Sequence, residues 1–175
     1  MNLKNMLSKK RIILFFIFMG LFSASYQFGS ISQVTDEESG EFLEQFQSLI
    51  EGIDGIGIFV HNTTVSLPMF IPGFGIAWGL FAGWTTGFGF AAIIKSVPAL
   101  SHIPALAILY ASPFGIMELV AYSIAISRSF MLFFAIIKRK SISPQFLPLA
   151  IEIGIVIALL FCGGLLESTM IQNIS

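Results

Sequence analysis

One cysteine, Cys162, stands in a chain of 175 residues. A lone thiol in an apolar run excludes a disulfide-stapled scaffold. Charge is equally scarce: 11% of residues are Asp, Glu, Lys or Arg, where a soluble domain carries about 25%. Residues 12–94 contain no Lys or Arg at all, and residues 56–94 no charge of either sign. That leaves no basic face for a nucleic acid. No Gly-x-Ser-x-Gly, His-Glu-x-x-His or P-loop pattern occurs, so hydrolysis has no visible nucleophile and base. No repeat or low-complexity tract is apparent. What is present is hydrophobic mass, 55% of the chain at a mean hydropathy of +0.88. These absences point to a small all-α, polytopic membrane protein. It forms one domain over 1–175, is not an enzyme, needs no cofactor or metal, and has the lipid bilayer as its first partner.

A bilayer core of about 30 Å needs roughly 20 apolar helical residues. The first span is read at 12–28, after Lys9, Lys10 and Arg11. Ser23-Ala24-Ser25 offers the small residues of a signal cleavage site, but the apolar run continues through Tyr26 and Phe28. An uncleaved helix with a cytoplasmic N-terminus follows from the positive-inside rule.

Seven acids (Asp36, Glu37, Glu38, Glu41, Glu44, Glu51, Asp54) then crowd one segment. Thr35-x-x-Glu38 fits a capping box. Phe42, Leu43, Phe46, Leu49, Ile50 and Ile53 share one helical face, opposite Glu37, Glu41, Glu44, Ser48 and Glu51. Residues 35–54 therefore read as an amphipathic helix lying on the external membrane surface, with Gly52, Gly55 and Gly57 loosening the chain after it.

The charge-free stretch 56–94 would be roughly 58 Å long as one helix, so it is divided at Pro72-Gly73 into spans 57–72 and 74–94. Pro98, His102 and Pro104 mark a loop. Residues 104–112 are read as re-entrant, followed by spans 114–136 and 147–166. Five crossings place Lys138-Arg139-Lys140 inside and the acidic segment and C-terminus outside.

Within the spans, Gly75, Gly79, Gly83 and Gly87 stand four apart. That ridge lets another helix backbone approach closely, either inside the molecule or between copies in a homo-oligomer, or lines a pathway. Intramembrane charge is costly, roughly 2.5–3.5 kcal/mol per residue on insertion scales, so Glu118, Arg128 and Glu152 are functional candidates. Arg128 and Glu152 share a depth if their helices are antiparallel and are expected to pair; the alternative is that Arg128 snorkels to the interface. Glu118 has no basic partner at its depth. It is read as protonated, or bonded to backbone exposed around Pro113-Phe114-Gly115. His61 and His102 with external acids match no metal spacing. Asn62-Thr63-Thr64 is a formal glycosylation sequon at a membrane edge.

Several of these phrases resemble the stage II sporulation protein M family of small prokaryotic integral membrane proteins. A family phrase "I-F-x-N-N" reads here Ile58-Phe59-Val60-His61-Asn62, with His61 at the first Asn. A phrase "N-G-x-x-x-G" reads from Thr86-Gly87, with Thr86 for Asn. "P-H-G-I-x-E-L" reads Pro113-Phe114-Gly115-Ile116-Met117-Glu118-Leu119, with Phe114 for His. "I-E-x-x-x-T" is roughly matched by Leu166-Glu167-Ser168-Thr169. The resemblance covers about 55–170. It implies a membrane anchor for partner proteins and highlights Pro113, Gly115, Glu118, His61 and Asn62. The leading expectation is a non-enzymatic scaffold for a membrane or extracytoplasmic protein partner. The second is a small transporter or channel component using Glu118.

Overall fold

The computed structural model describes residues 8–50 and 54–174; the side chains of 46, 48–50 and 171–174 fall outside that description, as do residues 51–53. The expected apolar face at Phe46, Leu49, Ile50 and Ile53, with Ser48, Glu51 and Gly52, thus lies beyond what is described. The described chain is all-helical: α1 Lys9–Ser30, α2 Asp36–Ile50, α3 Gly55–Ser66, α4 Phe74–Ser96, α5 Ala105–Ala111, α6 Pro113–Ile137 and α7 Phe146–Ile174. Short 3₁₀ turns lie between some of them.

Four helical segments are long and apolar enough to cross a membrane: Lys9–Ser30, Phe74–Ser96, Pro113–Ile137 and Ser143–Met170. The expected span 57–72 is not among them. It is α3, 12 residues long, followed by a 3₁₀ turn over Leu67–Phe70. Pro68 explains the early end, because it has no amide to continue the helical ladder. The break at Pro72-Gly73 is where the sequence places it. Gly73 has φ +79°, a left-handed turn open to glycine, and α4 starts one residue later.

Local signals set the other helix starts. Ser8 accepts from the Arg11 amide at 3.3 Å to cap α1. Asp54 accepts from the Gly57 amide at 2.8 Å to cap α3. Ser112 accepts from the Gly115 amide at 3.0 Å to cap α6, with Pro113 in the first turn, where a missing amide costs nothing. At α2 the capping box forms in both directions: Glu38 N donates to Thr35 Oγ1 at 3.2 Å and Thr35 N to Glu38 Oε2 at 2.8 Å. These bonds favour the ionised carboxyl and hold Glu38 below its ordinary value of 4.5.

α1 and α4 run parallel and in contact: Gly83 meets Phe22, Gly87 meets the Tyr26 carbonyl, and Gly29 meets Trp84 and Phe88 backbone. α6 runs antiparallel to them, Ile126 against Gly79 and Ser129 against Gly75. It is the central helix, with 56% of its most apolar stretch buried against 33% for α1 and α4. α7 packs on α6 and α3, its Gly164 against Gly55 and Phe59. The bundle therefore has a basic end, with Lys9, Lys10 and Lys138–Lys140, and an acidic end, with α2.

α2 is tied to the bundle near its own start. The described part of its inner face packs on α4: Phe42 fills the space over Gly89. Ser39 Oγ donates to the Ala92 carbonyl at 2.9 Å, and Asp36 meets Lys95 Nζ at 2.9 Å.

Candidate functional site

Two polar assemblies interrupt the apolar bundle. The first lies toward the basic end. Arg128 Nη2 and Nε donate to Glu152 at 2.7 and 2.5 Å, and Arg128 is 1% exposed. The expected pair is therefore present, and snorkelling is excluded by the burial. A third member comes from α1. Arg11 Nε donates to Glu152 Oε1 at 2.8 Å, Nη1 to Ser127 Oγ at 2.6 Å and Nη2 to the Ile124 carbonyl at 3.2 Å. Gln145 accepts from Arg128 Nη1 at 2.9 Å. One carboxylate thus bridges two guanidiniums and ties α1, α6 and α7 at one depth. Sequence reading assigned Arg11 to the basic flank. Its one signal was its position immediately before the first apolar run.

The second assembly is a cavity of about 480 Å³ toward the acidic end. α1 contributes Phe22 and Tyr26, α3 Ile58, Val60, His61, Asn62 and Val65, and α4 Ala82 and Thr86. Leu109 comes from α5, Glu118, Leu119 and Tyr122 from α6, and Glu167 from α7. A tether runs beside the cavity: Trp78 Nε1 donates to the carbonyl of the lining residue Val65 at 2.9 Å, joining the end of α3 to α4. Beyond it Val60, His61 and Thr86 are exposed and form a rim.

Glu118 is anchored from α3 and not from the Pro113 region. Asn62 Nδ2 donates to Glu118 Oε1 at 2.5 Å. This replaces the reading of a bond to exposed backbone; the Gly115 and Ile116 amides already donate to Ser112. Tyr122, one turn on from Glu118, is 7% exposed. Its ring packs on Phe22 at 5.5 Å between centroids, and its hydroxyl makes no hydrogen bond among the described residues. Tyr26, by contrast, donates to the Ala105 carbonyl at 3.2 Å.

Of the residues singled out from sequence, His61, Asn62 and Glu118 meet at the cavity. Arg128 and Glu152 sit in the other assembly. Pro113 and Gly115 start α6, and Gly115 packs against Ser112 Oγ and the Ile108 and Leu109 carbonyls. Gly75, Gly79, Gly83 and Gly87 are all covered by the chain's own residues, which is the intramolecular reading of that ridge. Tyr122 and Tyr26 carried no sequence signal, because an aromatic in an apolar helix reads as packing. Glu167 was visible only through the family phrase. Among the described residues no group of three or more His, Cys, Asp or Glu is placed to hold a metal ion.

No family model, curated protein or solved structure matches the chain.

Proposed function

We propose that this is an integral membrane protein of the cell membrane that binds a small solute in the cavity between α3 and α4, and works as a small transporter or transport component. The observation that carries the reading is convergence. Asn62, Thr86, Glu118 and Glu167 come from four separate segments and line one cavity with Tyr122. A carboxylate in an apolar bundle is costly to keep without a use. A few polar groups in an otherwise apolar pocket of this size are the usual form of a small-molecule site. The four segments are also the four phrases that resemble the stage II sporulation protein M family. On that resemblance the cavity is the feature the phrases share.

The topology that fits this role has five crossings. α3 runs from Gly55, level with Gly164, to a turn whose Ile71 carbonyl accepts from Ser129 Oγ at 2.6 Å. A helix of 12 residues spans only about 18 Å, and the turn carries the chain further. α5 dips in and returns: its start takes the Tyr26 hydroxyl bond, and Tyr110 meets Ser23 at 2.7 Å. The basic end faces the cytoplasm by the positive-inside rule. The cavity then faces outward.

The test is a thermal-shift panel of cationic, neutral and anionic solutes on the protein in lipid nanodiscs. At least one solute should raise Tm in the native protein and fail to do so in Ala82→Phe, which fills the cavity. A panel with no such solute would sink the reading. Loading the hit into proteoliposomes then separates transport from binding alone.

A second reading, a scaffold for an extracytoplasmic partner, is favoured by α2. Its clamp on α4 leaves Glu37, Glu41 and Glu44 exposed as an acidic face for a basic partner. Reversing the three charges should abolish cross-linking of that partner in intact cells. Retained cross-linking would count against it.

A further inference from the structure

We propose that the solute taken by the cavity is a small organic cation, an amine or quaternary ammonium, held between the carboxylates of Glu118 and Glu167 and the rings of Phe22 and Tyr122. The proposal rests on the reading of the cavity as a solute site and adds the chemical class of the solute.

Three observations converge on it. The first is charge. The cavity is lined by Glu118 and Glu167 and by no Lys or Arg. An anion would face two acidic side chains across an apolar space, with His61 at the rim the one basic side chain in the lining. The bundle's buried arginines are committed elsewhere, to Glu152, Ser127, Ile124 and Gln145. The acidic face of α2 lies at the same end of the bundle, and a field of that sign raises the local concentration of cations.

The second is the wall. Phe22 and Tyr122 stand 5.5 Å apart between centroids and present an aromatic corner from α1 and α6. Aromatic faces attract ammonium groups, more strongly where water is excluded. Most of the remaining wall is aliphatic, as an organic skeleton requires. A bare metal ion would need six or more oxygen ligands or a tight set of His and Cys, and about 480 Å³ is far more room than an ion uses.

The third is an unspent donor and acceptor. Tyr122 is 7% exposed and lines the cavity, and its hydroxyl has no hydrogen-bond partner among the described residues. Glu118 uses one oxygen on Asn62. The amide of Asn62 fixes the direction of that carboxylate and leaves its second oxygen for a ligand. A bound primary ammonium, or a hydroxyl attached to a quaternary one, would give the Tyr122 hydroxyl a partner inside the cavity.

The experiment compares choline with its neutral isostere 3,3-dimethyl-1-butanol, and n-butylamine with butyrate, by calorimetric titration of the full chain in nanodiscs. Sodium chloride serves as the inorganic control. Choline or butylamine is expected to bind at least tenfold more tightly than its uncharged or anionic counterpart. Glu118→Gln should weaken that binding tenfold or more, and Glu118→Asp should restore part of it. Equal binding of the neutral isostere, lost on Ala82→Phe, would overturn the cation assignment while leaving the solute site in place. Binding of butyrate or of sodium alone overturns it too. If nothing binds from either charge class, this proposal fails, and the solute-site reading stands or falls on the wider thermal-shift panel. The choline–isostere comparison needs no variant, so a misfolded Glu118→Gln does not blunt the test.

Discussion

Glu152 bears more than a pairwise reading of the sequence gives it. From sequence, Arg128 and Glu152 look like a simple pair, and exchanging their charges should restore what either reversal breaks. With Arg11 on the same carboxylate, the exchange places the new arginine beside Arg11. We therefore expect Arg128→Glu with Glu152→Arg to rescue poorly, and the addition of Arg11→Gln to improve the rescue. Full rescue by the double exchange would show that Arg11 is not engaged. Glu152→Gln leaves two buried guanidiniums without their counter-charge, which costs about 3–5 kcal/mol where such pairs are broken. A clear fall in Tm in detergent is the expected readout. Arg11 was illegible because a basic residue before an apolar run has an ordinary explanation, interface anchoring. Only the helix arrangement shows that α1 begins deep enough to bury it. Glu118 was legible as a costly residue, but its Asn62 partner was not, since two residues 56 apart carry no mutual signal in one sequence.

At the level of elements, the four-spaced glycines were legible as a packing surface, yet not as two surfaces. The ridge turns slowly around α4: Gly75 and Gly79 face the 3₁₀ turn and α6, Gly83 and Gly87 face α1. What each glycine meets decides what a side chain there would do. A Cβ at Gly87 would strike the Tyr26 carbonyl, which is backbone and cannot give, whereas at Gly83 it would sit 3.2 Å from the Phe22 ring and carbonyl. Gly87→Ala should therefore lower stability more than Gly83→Ala. Leucine at Gly75 or Gly87 should exceed the about 1–3 kcal/mol typical of overpacking. Gly20 and Gly154 have open space around them and serve as controls; leucine there should leave Tm unchanged. A uniform loss across these five positions would contradict the close-approach account. α2 offers a pH-dependent counterpart. Glu38 is held below its ordinary value by the Thr35 bonds, so its contribution is complete above 4.5 and is lost as pH falls through the lowered folded value. Amide exchange at the start of α2 should accelerate as pH falls through that lowered value, after correction for the intrinsic rate. Thr35→Ala should remove that step. The capping box could be read in advance because its residues are three apart. The docking of α2 on α4 could not, because a face of Phe and Leu suits lipid and protein equally.

For the whole molecule, hydrophobic length identified the long helices and missed the status of α3. Pro68 sits inside a charge-free run, and run length alone hides a helix that stops short. Whether α3 and its turn complete a crossing sets the sidedness of everything after it. Between α2 and the Lys138–Lys140 loop the chain passes through α3, α4 and α6. If α3 crosses, that is an odd number of passages, and α2 and the loop lie on opposite sides. If it does not, they share a side. Single cysteines at Glu41 and Lys140, in a Cys162→Ala background, turn this parity into a measurement. Both positions are exposed, so neither needs unfolding to react. A membrane-impermeant maleimide should label the cysteine at 41 in intact right-side-out vesicles and the one at 140 only after permeabilisation. A third cysteine at Ser101, between α4 and α5, should label with the first, because two passages return the chain to the side of α2. Labelling of 41 and 140 from one side would remove α3 as a crossing. It would also turn the cavity, which α3 walls, from an outward-facing pocket into one with no assigned side. Glu118 would then lose the aqueous access on which the solute reading depends.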